Sequence, residues 1–141
     1  WWPWNTQDMD SLEKVQKRAL NLISGLQGKN YEERLAELGL QSLKARRTRT
    51  DLIQTFKILR GYDNVDKNTW FNTVGTDIER LTRHTSYYGN LIPRRSKTDM
   101  RANFFSNRVV RTWNKLTTEI KEAKTLREFT RLLDAVDLES F

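Results

Sequence analysis

A chain of 141 residues with 37% hydrophobic and 11% aromatic content can bury one modest core, which argues against wholesale disorder. No run approaches the roughly 18 apolar residues of a membrane span, and the lack of cysteine excludes disulfides and thiolate metal sites. The net charge of +7 sits in two blocks: residues 42–60 hold six Lys or Arg against one acid, and residues 80–115 hold nine against one.

Two prolines, six glycines and no alternating β-branched runs predict a mostly helical chain. The opening "WWPWNTQ" lacks methionine and reads as the start of a piece of a longer protein. Its Trp1, Trp2 and Trp4 are expected to close one end of a core or to pack on an upstream domain. Asp8 or Asp10 can cap a first helix to about Ser24, with Met9, Leu12, Val15, Ala19, Leu22 and Ile23 inward. Asn30 caps "YEERLAEL", which Gly39 stops. Ser42 opens a longer helix to Arg60, closed by Gly61. That helix has the stripe Ala45, Thr48, Leu52, Phe56 and Leu59, with Arg49 inside it. An arginine there should be partly buried and paired, with Glu32, Glu33 or Glu37 as its acid.

Residues 61–98 read as irregular, with extended pieces at Leu81–Tyr88 and Asn90–Pro93 that could form a small two-stranded ribbon in 80–95. A helix over 100–116 follows. Thr125 and Glu128 then make a capping box for a last helix with Leu126, Phe129, Leu133 and Val136 inward. The expected architecture is a single all-α domain over 1–141, a compact bundle of about five helices. Residues 1–60 form one helical half, 61–98 connect, and 99–141 form the other. Its core should hold Leu12, Val15, Leu22, Leu35, Leu52, Phe56, Phe105, Val109, Trp113, Phe129 and Leu133.

Chemistry of the catalytic kind finds little support. His84 is the only histidine, so neither a histidine metal site nor a Ser-His-Asp triad is natural. "GLQGKN" misses the first glycine and the Ser/Thr of a phosphate loop. Gly25-Leu-Gln-Gly28 matches the GXXG loop of KH domains, but no strand precedes it. Asp63, Asp66, Asp77 and Glu79 lack EF-hand spacing. No catalytic residue, cofactor, metal or small-molecule substrate is expected.

The basic blocks instead suggest a polyanion, of which nucleic acid is the commonest. A helical wheel of "FFSNRVVRTWNKL" puts Phe105, Val109, Trp113 and Leu116 on one stripe. On the other side Arg101, Phe104, Arg108, Arg111 and Lys115 form a cationic ridge with one ring. With Arg46 and Arg47 from the first block, and Arg83, Arg94, Arg95 and Lys97 from the second, these are the candidate nucleic-acid contacts. The competing expectation is a surface that is merely basic.

Three stretches together resemble a known family: Leu12-Glu13-x-Val15-Gln16-x-Arg18, Tyr31-Glu32-Glu33-Arg34-Leu35, and Phe104-Phe105-Ser106-x-Arg108-x4-Trp113-Asn114-x-Leu116. In this order, and with the Trp-x-Pro-Trp opening, nearly the whole chain resembles the region after the palm and thumb in non-LTR retrotransposon reverse transcriptases of the Jockey and chicken-repeat type. Thr117 departs from the proline usual after that leucine. The resemblance implies a non-catalytic C-terminal region that holds template RNA, the hybrid or target DNA during target-primed reverse transcription. It further implies an upstream reverse transcriptase domain as partner, no membrane, and an intracellular setting in nucleus and cytoplasm. The alternatives are a structural domain that braces the polymerase, and a domesticated copy with a host role.

Overall fold

The computed structural model describes Pro3, residues 5–73 and residues 89–141. Helix α1 (Thr6–Asn21) begins earlier than its acids suggest, because the Asn5 side chain accepts from Gln7 N at 3.1 Å. Helix α2 (Tyr31–Glu37) carries the full capping box, with the Asn30 and Glu33 side chains each accepting from the other's backbone N–H. Helix α3 (Leu43–Arg60) starts where Ser42 Oγ accepts from Ala45 N at 3.0 Å. It ends at Gly61, whose φ of 73° lets Tyr62 N reach Lys57 O and Gly61 N reach Ile58 O. The chain clusters into two compact units, Trp1–Arg47 and Thr48–Phe141, and α3 runs through the division.

In the first unit the expected inward stripe of α1 is wrong. Val15 is 62% and Leu22 86% exposed, and Ala19 and Ile23 are exposed as well, while Leu20 is buried and Leu12 half-buried. The inward side is partly polar. The Glu13 carboxylate accepts from Leu43 N at 3.1 Å and from the Tyr31 hydroxyl, while Gln16 Nε2 donates to Tyr31 Oη and Gln41 O, each at 3.1 Å. An anion at the start of the 18-residue α3 satisfies the Leu43 N–H, which has no partner within the helix. A wheel that counts only apolar side chains misses such a face.

In the second unit the core is built on aromatic rings. Phe56 stacks on Phe129 with centroids 4.3 Å apart, and Trp113 lies 5.9 Å from Phe129. Leu52, Val109 and Leu133 are buried with them, as the stripes predict. Phe105 is only half-buried, edge-on to Trp70 and Phe71. The connecting segment forms a short helix α4 (Lys67–Trp70), capped by Asp66, and a strand β1 (Asn72–Thr73). Strand β2 (Leu91–Ile92) pairs antiparallel with β1, Asn72 opposite Ile92 and Thr73 opposite Leu91. So β2 falls in the expected ribbon, but its partner comes from ahead of it; Leu81–Tyr88 lies outside the described residues.

The expected 100–116 helix is two helices, α5 (Asp99–Ala102) and α6 (Phe105–Lys115), parted at Asn103 and Phe104. The break ends the wheel's phase, so Arg101 does not share one straight ridge with Arg108, Arg111 and Lys115. Helix α6 stops at Lys115 and the backbone is extended through Leu116 and Thr117, without the proline. Helices α7 (Thr118–Lys121) and α8 (Leu126–Leu133) complete the unit. Thr125 caps α8 through Glu128 N as expected, but the Glu128 carboxylate accepts from Lys124 N, one residue short of a capping box. Among the described residues the fold is all-α apart from the ribbon of two two-residue strands. The five longer helices α1, α2, α3, α6 and α8 carry it, and α4, α5 and α7 are four residues each.

Arg49 is paired, but not with an acid of α2. Its Nε and Nη2 reach Asp134 Oδ1 at 3.0 and 2.7 Å, from 85 residues further along the chain. Glu33 is spent on its capping box and Glu37 pairs with Lys29. A wheel gives the face of an arginine, not the element opposite.

Lys121 is a buried cation with neutral partners. Its Nζ donates to Asn90 Oδ1 at 2.8 Å and Asn114 O at 3.1 Å, and burial holds its pKa below the 10.5 of a solvated lysine. Between the folded pKa and 10.5 the unfolded chain binds more protons than the folded one, so stability rises with pH across that window. Urea denaturation at stepped pH should show wild type gaining on Lys121→Met as the solution becomes alkaline. A difference between the two proteins that is flat or falls with pH would refute this.

Candidate nucleic-acid interface

Helix α6 holds the extended segment after residue 88 through side chains rather than strand pairing. Trp113 Nε1 donates to Gly89 O at 3.0 Å. Asn114 grips Leu91 at both ends, Oδ1 accepting from its N–H and Nδ2 donating to its carbonyl, each at 2.9 Å. About two turns earlier, Asn107 Oδ1 accepts from Arg94 N at 3.2 Å while its Nδ2 donates to Arg101 O at 3.0 Å. Three residues on one helix therefore fix where residues 89–94 run, and with them the start of the Arg94 side chain.

Between this segment and α6 opens a cleft of about 270 Å³. Arg94, Arg108 and Arg111 line it, together with the polar side chains of Ser96, Asn103 and Asn107. Pro93 and Ala102 supply the apolar part of the wall, and no carboxylate lines it. The structure thus gathers three of the expected contact residues around one concavity.

The three arginines are not equivalent. Arg108 is engaged: its Nε and Nη2 form a two-pronged pair with the Asp51 carboxylate at 2.9 and 3.0 Å, and Nη1 donates to Asn103 O. At 21% and 17% side-chain exposure, this pair is largely withdrawn from water. Arg108 is therefore corrected from a ridge cation to a fold contact. Arg94 uses Nη2 on Asn68 O at 2.9 Å, tying the segment to α4. Arg111 is exposed and has no hydrogen bond or ion pair among the described residues.

The remaining expected residues divide as follows. Arg95 and Lys97 are placed on the segment that follows Arg94, Arg95 exposed and Lys97 at its far end. Arg101 is exposed on α5 with its guanidinium 5.5 Å from the Phe104 ring centre. Phe104 itself is 45% exposed and is not the isolated ring the wheel suggests, because Trp70 lies nearly parallel to it at 6.2 Å. It stands at the N-cap of α6 without a side-chain cap, so the positive helix end adds to the guanidinium field. Lys115 is exposed with Nζ 5.1 Å from the Phe141 ring. Arg46 and Arg47 belong to the first unit, Arg46 exposed and Arg47 half-buried. Arg83 lies outside the described residues.

Sequence reasoning missed Trp70, Asp51, and the bracing asparagines Asn107 and Asn114. The asparagines had a signal: two poor helix formers inside an 11-residue helix imply tertiary work for their amides. Asp51, the lone acid of the first basic block, had one too. Among the described residues no group of three or more His, Asp or Glu is placed to hold a metal ion. None of the described helices is long and apolar enough to cross a membrane. Comparison of the chain with family models, curated proteins and solved structures finds no match.

Proposed function

We propose that this chain is a non-catalytic nucleic-acid-binding region, and that its second unit carries the binding face. The observation that carries this reading is the cleft, where Arg94 and Arg111 join Arg108, itself paired with Asp51, in a lining without a carboxylate, with Arg95, Lys97, Arg101 and Lys115 on the segments and helices that form it. Guanidinium groups match phosphate oxygens in geometry and charge. The resemblance to the C-terminal region of non-LTR retrotransposon reverse transcriptases supplies the biological setting: positioning template RNA or target DNA during target-primed reverse transcription, beside an upstream polymerase domain.

The test is salt dependence. Changing Arg95, Lys97, Arg101 and Arg111 together to glutamine should leave the melting temperature nearly unchanged, because none of the four holds an ion pair among the described residues. Nucleic-acid affinity should fall, and the slope of log K against log salt should become shallower by up to about 0.9 for each duplex phosphate no longer neutralised. Equal affinity and slope in the variant would leave the face as ordinary basic surface.

A second reading, a protein-bracing role, is favoured by a separate observation in the first unit. Val15, Leu22, Ile23, Leu38 and Leu40 are all exposed there, and apolar side chains that gather at a surface are what a protein partner would cover. The two readings are compatible, since each uses its own unit.

A further inference from the structure

We infer that the face built by α4, α5 and α6 is made for single-stranded nucleic acid, with a base on the Phe104 ring and the adjoining phosphate in the arginine cleft. This rests on the nucleic-acid reading above and specifies the form of its ligand. Phe104 follows Asn103, which lines the cleft, and its ring lies 6.2 Å from that of Trp70 in α4, the helix whose Asn68 carbonyl accepts from Arg94 Nη2 at 2.9 Å. The ring is 45% exposed, and Trp70 backs it with planes only 14° apart. A half-buried tryptophan behind a half-exposed phenylalanine is a supported platform, because the inner ring fixes the outer one before any ligand arrives.

A duplex hides the flat faces of its bases within the stack, so an aromatic platform gains nothing from it, whereas an unpaired base offers its π-face directly. The cleft of about 270 Å³ is lined by guanidinium and amide donors that suit the phosphate beside a stacked base. Arg94 is fixed by Asn68 and Asn107, and the exposed Arg111 has its whole guanidinium available among the described residues. Arg101, now resting 5.5 Å from the ring, is exposed and can leave it for the next phosphate when a base takes its place. Stacking of this kind is tolerant of sequence, since every base has a π-face.

The experiment compares four probes of matched length on the intact 141-residue chain: oligo(U), oligo(dT), an abasic DNA strand and a DNA duplex. The abasic strand keeps the phosphates and removes only the bases. Wild type should bind oligo(U) and oligo(dT) about 5- to 150-fold tighter than the abasic strand, the range that stacking of one base corresponds to. Phe104→Leu keeps an apolar side chain against Trp70 and loses the π-face. It should erase most of that difference while leaving abasic binding and its salt slope unchanged. A tighter oligo(U) than oligo(dT) would assign a contact to the 2′-hydroxyl, and equality would assign the site to either strand; both support the inference. Salt-dependent binding that is equal with and without bases, or strongest on the duplex, or unaltered by Phe104→Leu, would overturn the single-strand assignment and leave the general reading standing. No salt-dependent binding to any probe would overturn both.

Discussion

Trp113→Ala should remove about 3–5 kcal/mol of folding stability, enough to unfold much of a domain whose total is of order 5–15 kcal/mol. The indole is 2% exposed and stacks against Phe129, which in turn stacks on Phe56, so the deletion opens a cavity at one end of a continuous ring stack. The neighbouring Val109 and Leu133 sit within helices packed into the same core and cannot collapse fully into the space. A second loss is specific to this fold. Trp113 Nε1 holds Gly89 O, so the substitution also releases the segment that carries Arg94. Trp113→Phe separates the two effects, keeping most of the volume while losing the hydrogen bond, and should cost about 1–2 kcal/mol. Equilibrium urea denaturation of the three proteins measures both. A loss below about 1 kcal/mol for the alanine variant would contradict the packing described.

The parts of the fold that were legible in the sequence are those fixed by short-range chemistry. Asn30, Ser42, Gly61 and Thr125 act where they were expected, because a cap and its helix lie within a few residues of each other. The stripes of α3 and α8 were legible because one apolar side dominates. Helix α1 was not, because its inward side carries Glu13 and Gln16, whose partners Tyr31, Gln41 and Leu43 are fixed only by the tertiary fold. The break between α5 and α6 escaped for a similar reason: Asn107 bonds Arg101 O across it, and no local rule announces that contact.

The same distinction divides the candidate site. Most residues that carry the family resemblance, among them Glu13, Gln16, Tyr31, Arg108, Trp113 and Asn114, make contacts within the fold. Arg95 and Arg111, which stand open to solvent, lie outside the quoted motif residues, as does Lys97. The motif therefore speaks first to architecture, and the case for a polyanionic partner rests on the cleft and the charge around it.

Arg108 and Arg111 provide the sharpest contrast, since they stand three residues apart on one helix and line one cleft. Breaking the Arg108–Asp51 pair by Arg108→Gln should cost about 3 kcal/mol, the lower end for a buried pair, because it strands the Asp51 carboxylate at 17% exposure. Arg111→Gln should stay within about 0.5 kcal/mol of wild type. Binding should follow the opposite order. On the proposed reading, Arg111→Gln should remove a phosphate-facing cation and flatten the salt slope, whereas Arg108→Gln in the folded fraction should change the slope little, because Asp51 already meets its charge. Asp51→Asn then distinguishes a fold contact from a ligand contact at the same arginine. It should lower stability yet tighten nucleic-acid binding, because it leaves the Arg108 guanidinium at the cleft without its carboxylate. Replacing both partners, as Asp51→Leu with Arg108→Met, should recover much of the stability that either single variant forfeits, since no charge is then left stranded. A double variant no more stable than the singles, or an Asp51→Asn variant that binds more weakly than wild type, would contradict this assignment of Arg108.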